Sequence, residues 1–204
     1  MNWTPSIEIE SAKGIREVSL KTHHLMKRRI FLSGEITSET AEQMLEAMLY
    51  LEEEKSQAEI FINSPGGEVG AGLLIYDLLQ SARIPINLYC TGMAASMAAL
   101  LFASGKKGTR FILPHSRVMI HEPLIAGGVG GSATSIRNIS ESILEVRDVT
   151  NRILAKHTGK SLEEINAATV YDNYMNAEQA VAFGICDKVV SHIYGGTKYA
   201  NREE

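Results

Sequence analysis

Apolar positions along the chain switch between two rhythms. Short runs such as Ile30-Phe31-Leu32, Ile60-Phe61-Ile62, Ile86 to Cys90, Arg110 to Leu113 and Arg117 to Ile120 have the length and character of strands. Between the first of these runs the spacing changes to three and four. Ala41, Met44, Leu45, Met48 and Leu51 form one helical stripe, and Ala71, Leu74, Ile75, Leu78 and Leu79 a second. Thr37 or Ser38 is placed to cap the first helix, and Arg29 to Ser33 is expected to be a buried strand. Strands alternating with helices predict an α/β layered fold with a mainly parallel sheet. In such sheets, sites form beyond the carboxyl ends of the strands. Ser64 to Gly67, Ser96 and His121 each follow a predicted strand, so they are expected on one edge.

The second half is patterned differently. Ala126 to Gly131 is glycine-rich and predicts a loop. A long helix is expected from about Ala133 to His157, with Ile136, Ile139, Ile143, Val146 and Ile153 forming a narrow apolar seam. Lys156 and His157 suit its negative end, and Gly159 suits its stop. A helix of this length is expected to project from so small a domain and to need a partner over its seam. Ser161 and Glu164 make a capping box, Asn176 starts a further helix with Gln179 at the matching position, and Gly184 ends it. Ile185 to Val190 reads as a last strand. Residues 1–20 carry only the short alternation Ile7-Glu8-Ile9-Glu10 and read as a mobile or partner-dependent arm.

Composition narrows the classes. A chain of 204 residues, 45% hydrophobic and 22% charged, suits one domain with a sizeable core. A net charge of −4 gives no reason to expect nucleic acid, and Lys27-Arg28-Arg29 reads as a solvated approach to a strand. The longest apolar stretch, Met93 to Ala103, is too short to span a bilayer. Cys90 and Cys186 each sit in apolar surroundings, which predicts buried free thiols rather than a disulfide or metal site. With no charged-then-apolar leader, the expected location is cytoplasmic.

Candidate chemistry centres on Ser96, one hydroxyl in the small-residue run Thr91 to Ala99. Such runs often serve only close helix packing, and a serine within one often bonds a carbonyl of the preceding turn. A serine at a strand-to-helix turn is also how hydrolases present a nucleophile. It would need a base, and His121, between an apolar strand and Pro123, is the best placed of the six histidines. His23, His24, His115, His157 and His192 have ordinary surface explanations. A base needs an orienting carboxylate, for which the candidates are Glu122, Asp148, Asp172 and Asp187. Asp172 is favoured because it lies in a connection between two capped helices, although a turn aspartate has the same spacing. The backbone N–H groups of Gly67 and Met97 suit an oxyanion, where one donor is worth about 100- to 1,000-fold in rate. A phosphate cradle at Gly66-Gly67 is a poorer reading, because no Gly-Lys-Ser/Thr follows and Glu68 would repel an anion.

Four segments, taken together, resemble the ClpP family, the proteolytic subunits of ATP-dependent Clp proteases. They are Asn63-Ser64-Pro65-Gly66-Gly67, Gly92 to Ala98, Met119 to Pro123 and Asp172 to Glu178, and the likeness runs in order from about Arg29 to Val190. The resemblance implies a crotonase-like α/β fold, with a layered βα-repeat head and a protruding long-helix handle at about 122–160. It implies a single peptidase domain over 21–204 and an N-terminal arm, 1–20, lining an axial pore. It implies a Ser96-His121-Asp172 triad with Gly67 and Met97 as oxyanion donors, and no cofactor or metal in this subunit. It also implies heptameric rings stacked as a tetradecamer, unfolded protein substrates, and an AAA+ unfoldase of the ClpX, ClpA or ClpC type that uses the ATP.

The chain departs from that pattern in several places. Met93 stands where the family usually has Gln, and Val170-Tyr171-Asp172 where it usually has Asp-Arg-Asp. The loop Leu124 to Ser132 is longer and richer in glycine, and the usual Tyr-Asp-Ile-Tyr-Ser-Arg-Leu-Leu is missing near the N-terminus. These differences mark a divergent paralogue and lead us to expect assembly with a second ClpP, since the lost Arg helps pair rings in typical members. Two competing readings remain: a weakly active or non-catalytic ring subunit, and a crotonase-type acyl-CoA enzyme that shares the fold and the oxyanion hole but needs no Ser-His pair.

Overall fold

The computed structural model describes residues 5–11, 14–125 and 128–193. The arm is more ordered than its sequence suggests. Its alternation pairs as an antiparallel hairpin of β1 (Ser6–Ser11) and β2 (Gly14–Ser19), with Ile7 opposite Val18 and Ile9 opposite Arg16. Residues 1–4 and 12–13 of the expected arm, and 126–127 of the expected loop, lie outside the described residues. A short helix, α1 (Leu20–Met26), follows, which the periodicity does not predict. The Ser19 side chain caps it by accepting the Thr22 N–H.

Strands β3 (Arg29–Ile36), β4 (Ala58–Gly67), β5 (Ile86–Ala95), β6 (Arg110–Ile112) and β9 (Lys188–Val189) pair side by side in that order, all parallel. The last is much shorter than the expected Ile185 to Val190. Helices α2 (Ser38–Leu51), α3 (Val69–Ser81) and α4 (Met97–Ala103) return the chain between the first strands. This is the βα alternation read from the sequence, and it makes a mixed α/β fold with a parallel-rich sheet.

The two faces of the sheet differ. Leu32, Ile60, Ile62, Leu88 and Cys90 point into the main core beneath the helices. On the alternate positions, Phe31, Phe61, Tyr89 and Phe111 stack across four strands at centroid distances of 5.2, 5.2 and 5.1 Å. Phe31 is half exposed, so β3 is an amphipathic edge strand rather than the buried strand expected. Nor is Arg28 merely solvated: its guanidinium donates to the carbonyls of Leu51, Glu54, Ser56 and Gln57, closing the turn before β4.

All seven residues of α4 are buried, and all are apolar, with three alanines (Ala98, Ala99 and Ala103) and one aromatic (Phe102), which lets this helix run through the centre of the core. Two strands extend the sheet beyond the carboxyl ends of the others. β7 (Arg117–Ile120) pairs in parallel with the last part of β5, and β8 (Asn173–Met175) pairs antiparallel with β7. The long helix α5 (Ala133–Thr158) has 26 residues, so it is about 39 Å long. Its buried side chains are Thr150, Asn151 and Leu154, all in its last third, while Ile136 and Ile139 of the apolar seam are exposed. Helices α6 (Leu162–Thr169) and α7 (Ala177–Phe183) carry the expected capping boxes, and Gly159 and Gly184 end their helices in left-handed conformations. Cys90 and Cys186 are free and buried, with burial pushing the thiols up to about 11 and about 12. Among the described residues, no helix is long and apolar enough to cross a membrane.

Candidate active site

Ser96 occupies the one-residue gap between β5 and α4. Its backbone is at φ 55° and ψ −123°, a conformation that disfavours any residue with a Cβ and costs about 1–3 kcal/mol. Three sets of contacts hold it there. β5 and β7 pair up to Ala95 and Met119, and the Ser96 N–H then donates to the Met119 carbonyl at 2.8 Å. The Ser96 carbonyl accepts from the N–H groups of Ala99 and Leu100, starting α4. The Asn63 side chain accepts the Met93 N–H at 3.1 Å, latching the approach to the turn.

The glycine pair packs directly against this turn. A Cβ on Gly66 would lie 2.7 Å from both the Ala95 carbonyl oxygen and Ser96 Cβ, and 3.1 Å from the Met97 nitrogen. A Cβ on Gly67 would fall on the Ile36 carbonyl oxygen, because the two backbones pair there. Both positions therefore exclude side chains for reasons of space. The result sets Gly66 beside the Met97 nitrogen, in the first turn of α4, where helical N–H groups lack an intrahelical acceptor, while Gly67 packs against the Ile36 backbone.

His121 follows β7 directly. Its Nε2 lies 2.8 Å from Ser96 Oγ, and its Nδ1 lies 3.2 Å from Asp172 Oδ1. The first contact is a well-formed hydrogen bond. The second has ion-pair distance but not hydrogen-bond geometry, so buried Nδ1 has no hydrogen-bond partner. The register of β8 explains how Asp172 arrives. Asn173 pairs with Ile120, so the next residue outward on each strand is Asp172 and His121. The Glu122 N–H donates to the Thr169 carbonyl at 2.8 Å, fixing the same junction from the other side.

The remaining carboxylates are engaged elsewhere. Glu122 lies 3.7 Å and Asp148 4.0 Å from the Arg147 guanidinium. Asp187 sits at the opposite end of the sheet against buried Arg110, at 2.6 Å. Burial alone would push the Asp187 carboxyl up, but hydrogen bonds from Arg110 and Gly108 outweigh it and hold the group below the usual range. Arg110 also donates to the carbonyls of Ala103, His157 and Gly184, tying together the ends of three helices. Neither this clamp nor the Asn63 latch is visible as a role from spacing. The latch has a signal in Gly92, whose Cβ would press on Asn63 Oδ1 at 2.5 Å.

Of the other histidines, His157 is not a surface residue as expected. It is half buried at 3.2 Å from the Tyr76 hydroxyl, and burial, followed by Lys156 and Arg110, lowers its pKa. His23 and His24 lie on α1, and His192 contacts Ser191. Among the described residues, no group of three or more His, Cys, Asp or Glu side chains could hold a metal ion.

Chemically, the arrangement can move a proton from a serine hydroxyl to an imidazole that faces a carboxylate on its far side. A family model described as Clp protease matches residues 12–193, which covers β2, the whole parallel-rich sheet and all of these groups, and leaves out β1.

Proposed function

The chain belongs to the Clp protease family, and from that premise we propose that it is a serine endopeptidase subunit that cuts unfolded polypeptide into short peptides. The observation that carries this reading is the 2.8 Å contact between Ser96 Oγ and His121 Nε2, backed by Asp172. Ser96 Oγ attacks the peptide carbonyl carbon as its proton passes to His121 Nε2. The carbonyl oxygen, now negative, is received by the N–H groups of Gly67 and Met97. His121 then gives the proton to the departing amine nitrogen, the C–N bond breaks, and an ester on Ser96 remains. Water, deprotonated by the same nitrogen, hydrolyses that ester and restores the hydroxyl. Asp172 keeps the Nδ1 proton in place and supports the imidazolium as it forms.

The family relationship supports assembly into stacked heptameric rings around a chamber, fed by an AAA+ unfoldase of the ClpX, ClpA or ClpC type. The exposed seam of α5 at Ile136 and Ile139 is a surface such assembly would cover. The reading also carries a cytoplasmic location and no cofactor in the subunit itself.

A specific observation favours a second reading. The Asp172 side chain is 54% exposed and its contact with His121 lacks hydrogen-bond geometry, and it is preceded by exposed Val170 and Tyr171. A subunit whose third triad member is only loosely held is a weakly active or non-catalytic ring member that assembles with another ClpP. Intact mass after treatment with a fluorophosphonate separates the two. A single adduct on the parent protein and none on Ser96→Ala supports the peptidase. No adduct on the protein alone, but one when a second ClpP is added, supports the paired subunit.

A further inference from the structure

We infer that the cavity beyond the amino ends of β5 and β6 binds a small amphipathic carboxylate, an apolar chain carrying one anionic head. The site lies apart from the candidate active site, and the inference does not depend on the peptidase reading. Ser96 precedes α4, whereas Ser104 and Gly105, which follow that helix, line the cavity. The seven residues between them span about 10 Å.

The cavity has a volume of about 560 Å³, within the range of about 300–1,000 Å³ usual for small-molecule sites. About 150 Å³ is enough for benzene, so a short hydrocarbon chain fits here with room for a head group. Leu79, Ala82, Ile84, Ile86, Leu88 and Val181 supply apolar wall. Lys106, Lys107 and Lys156, all exposed, line it as well. A chain laid against the apolar wall, with its head among the ammonium groups, satisfies both kinds of lining.

Charge decides the sign of the head. Asp187 is the one acidic residue among the described ones that line the cavity, and the Arg110 guanidinium holds it at 2.6 Å. Helices α4, α5 and α7 also end here, and their negative ends would oppose an anion. Arg110 meets those ends itself: its Nη1 donates to the carbonyls of Ala103, His157 and Gly184 at 3.0, 3.1 and 3.1 Å. Among the described residues, none of the three lysines lies within ion-pair distance of a carboxylate. Three unpaired cations therefore gather around one cavity in a chain whose net charge is −4. Such a local excess attracts an anion and repels an amine. Lysines are flexible point charges, which suits a single compact head rather than a planar group gripped at two points.

The test is calorimetric titration of the full chain with three probes: octanoate, octylammonium and acetate. Octanoate and octylammonium share a tail and differ in charge, whereas acetate keeps the charge and lacks the tail. Octanoate should bind at least about ten-fold more tightly than either, since one opposite charge at about 5 Å in water already changes affinity about four-fold. Raising the salt should weaken it. Two variants locate the site. The double substitution Lys106→Glu with Lys107→Glu reverses two exposed side chains, and octanoate affinity should fall at least about ten-fold. Ala82→Phe fills part of the apolar wall and should weaken octanoate too; if it fails to fold, the lysine variant decides alone. Octanoate and octylammonium binding alike, or acetate binding as well as octanoate, overturns the inference. So does no binding at millimolar octanoate, or an affinity that the lysine variant leaves unchanged, since the probe then sits elsewhere. None of these readings needs turnover, so their failure leaves the peptidase reading as it stands.

Discussion

The backbone at Ser96 can be tested apart from its chemistry by comparing two variants that both lack the hydroxyl. Ser96→Ala keeps a Cβ at φ 55°, whereas Ser96→Gly removes it, and neither can bond His121. A residue with a Cβ in such a region costs about 1–3 kcal/mol. Glycine avoids that cost but gives the unfolded chain more freedom, a loss of about 0.5–1 kcal/mol. Taken together, the Gly variant should be more stable than the Ala variant by about 0–2.5 kcal/mol, with a midpoint near 1 kcal/mol.

For a chain of 204 residues, about 1 kcal/mol corresponds to a shift of about 2–4 °C in Tm. The assay is a thermal or urea melt of the two variants at equal protein concentration, because subunit association makes the midpoint depend on concentration. The expected order is Gly above Ala. If Ser96→Ala melts at the higher temperature, the turn stores no strain. The contacts to Met119, Ala99 and Leu100 would then be holding a conformation the chain adopts freely.

Three further outcomes follow from the geometry. Asp187→Asn leaves the Arg110 guanidinium, 3% exposed, without its counter-charge. Breaking a buried pair costs about 3–5 kcal/mol, so Tm should fall by about 6–20 °C; a drop of under 2 °C would show that the three helix-end carbonyls suffice. The lowered pKa of His157 means the unfolded chain takes up a proton at that position before the folded one does. Stability is therefore full above about pH 6.5 and is lost as pH falls through the folded pKa. Urea midpoints at pH 7.5 and 5.5 should differ less in His157→Gln than in the parent, and equal differences would refute the role. Asp172→Asn should keep fluorophosphonate-accessible Ser96 but lower kcat by about 10²–10⁴-fold. Unchanged kcat would mean that the contact to His121 orients nothing.

What could be read in the sequence, and what could not, divides by the range of the interaction. Helix ends were legible because their chemistry is local. Thr37, Ser161 with Glu164, and Asn176 with Gln179 all cap through bonds spanning three residues, and Gly159 and Gly184 stop their helices within one turn. Ser96, His121 and the glycine pair were legible as candidates because each follows a strand, and strand ends share an edge in a parallel sheet. The choice of carboxylate was not legible in the same way. Four acidic residues had acceptable spacing, and only the pairing of β8 with β7 sets Asp172 beside His121 while Arg147 and Arg110 draw off the other three. β8 is three residues long, too short for any period to show.

The hairpin within the arm was hidden for a different reason. Its alternation was visible, but a hairpin is confirmed only by a partner strand, and Gly14 to Ser19 has no comparable apolar run. The strain at Ser96 was wholly hidden, since positive φ is expected of glycine and nothing in Ala95-Ser96-Met97 announces it. That last failure is informative. A local rule broken at one residue, and held broken by β7, Gly66 and Asn63, is where a chain departs from its own propensities for a purpose. The purpose the geometry supports is presenting one hydroxyl to one imidazole.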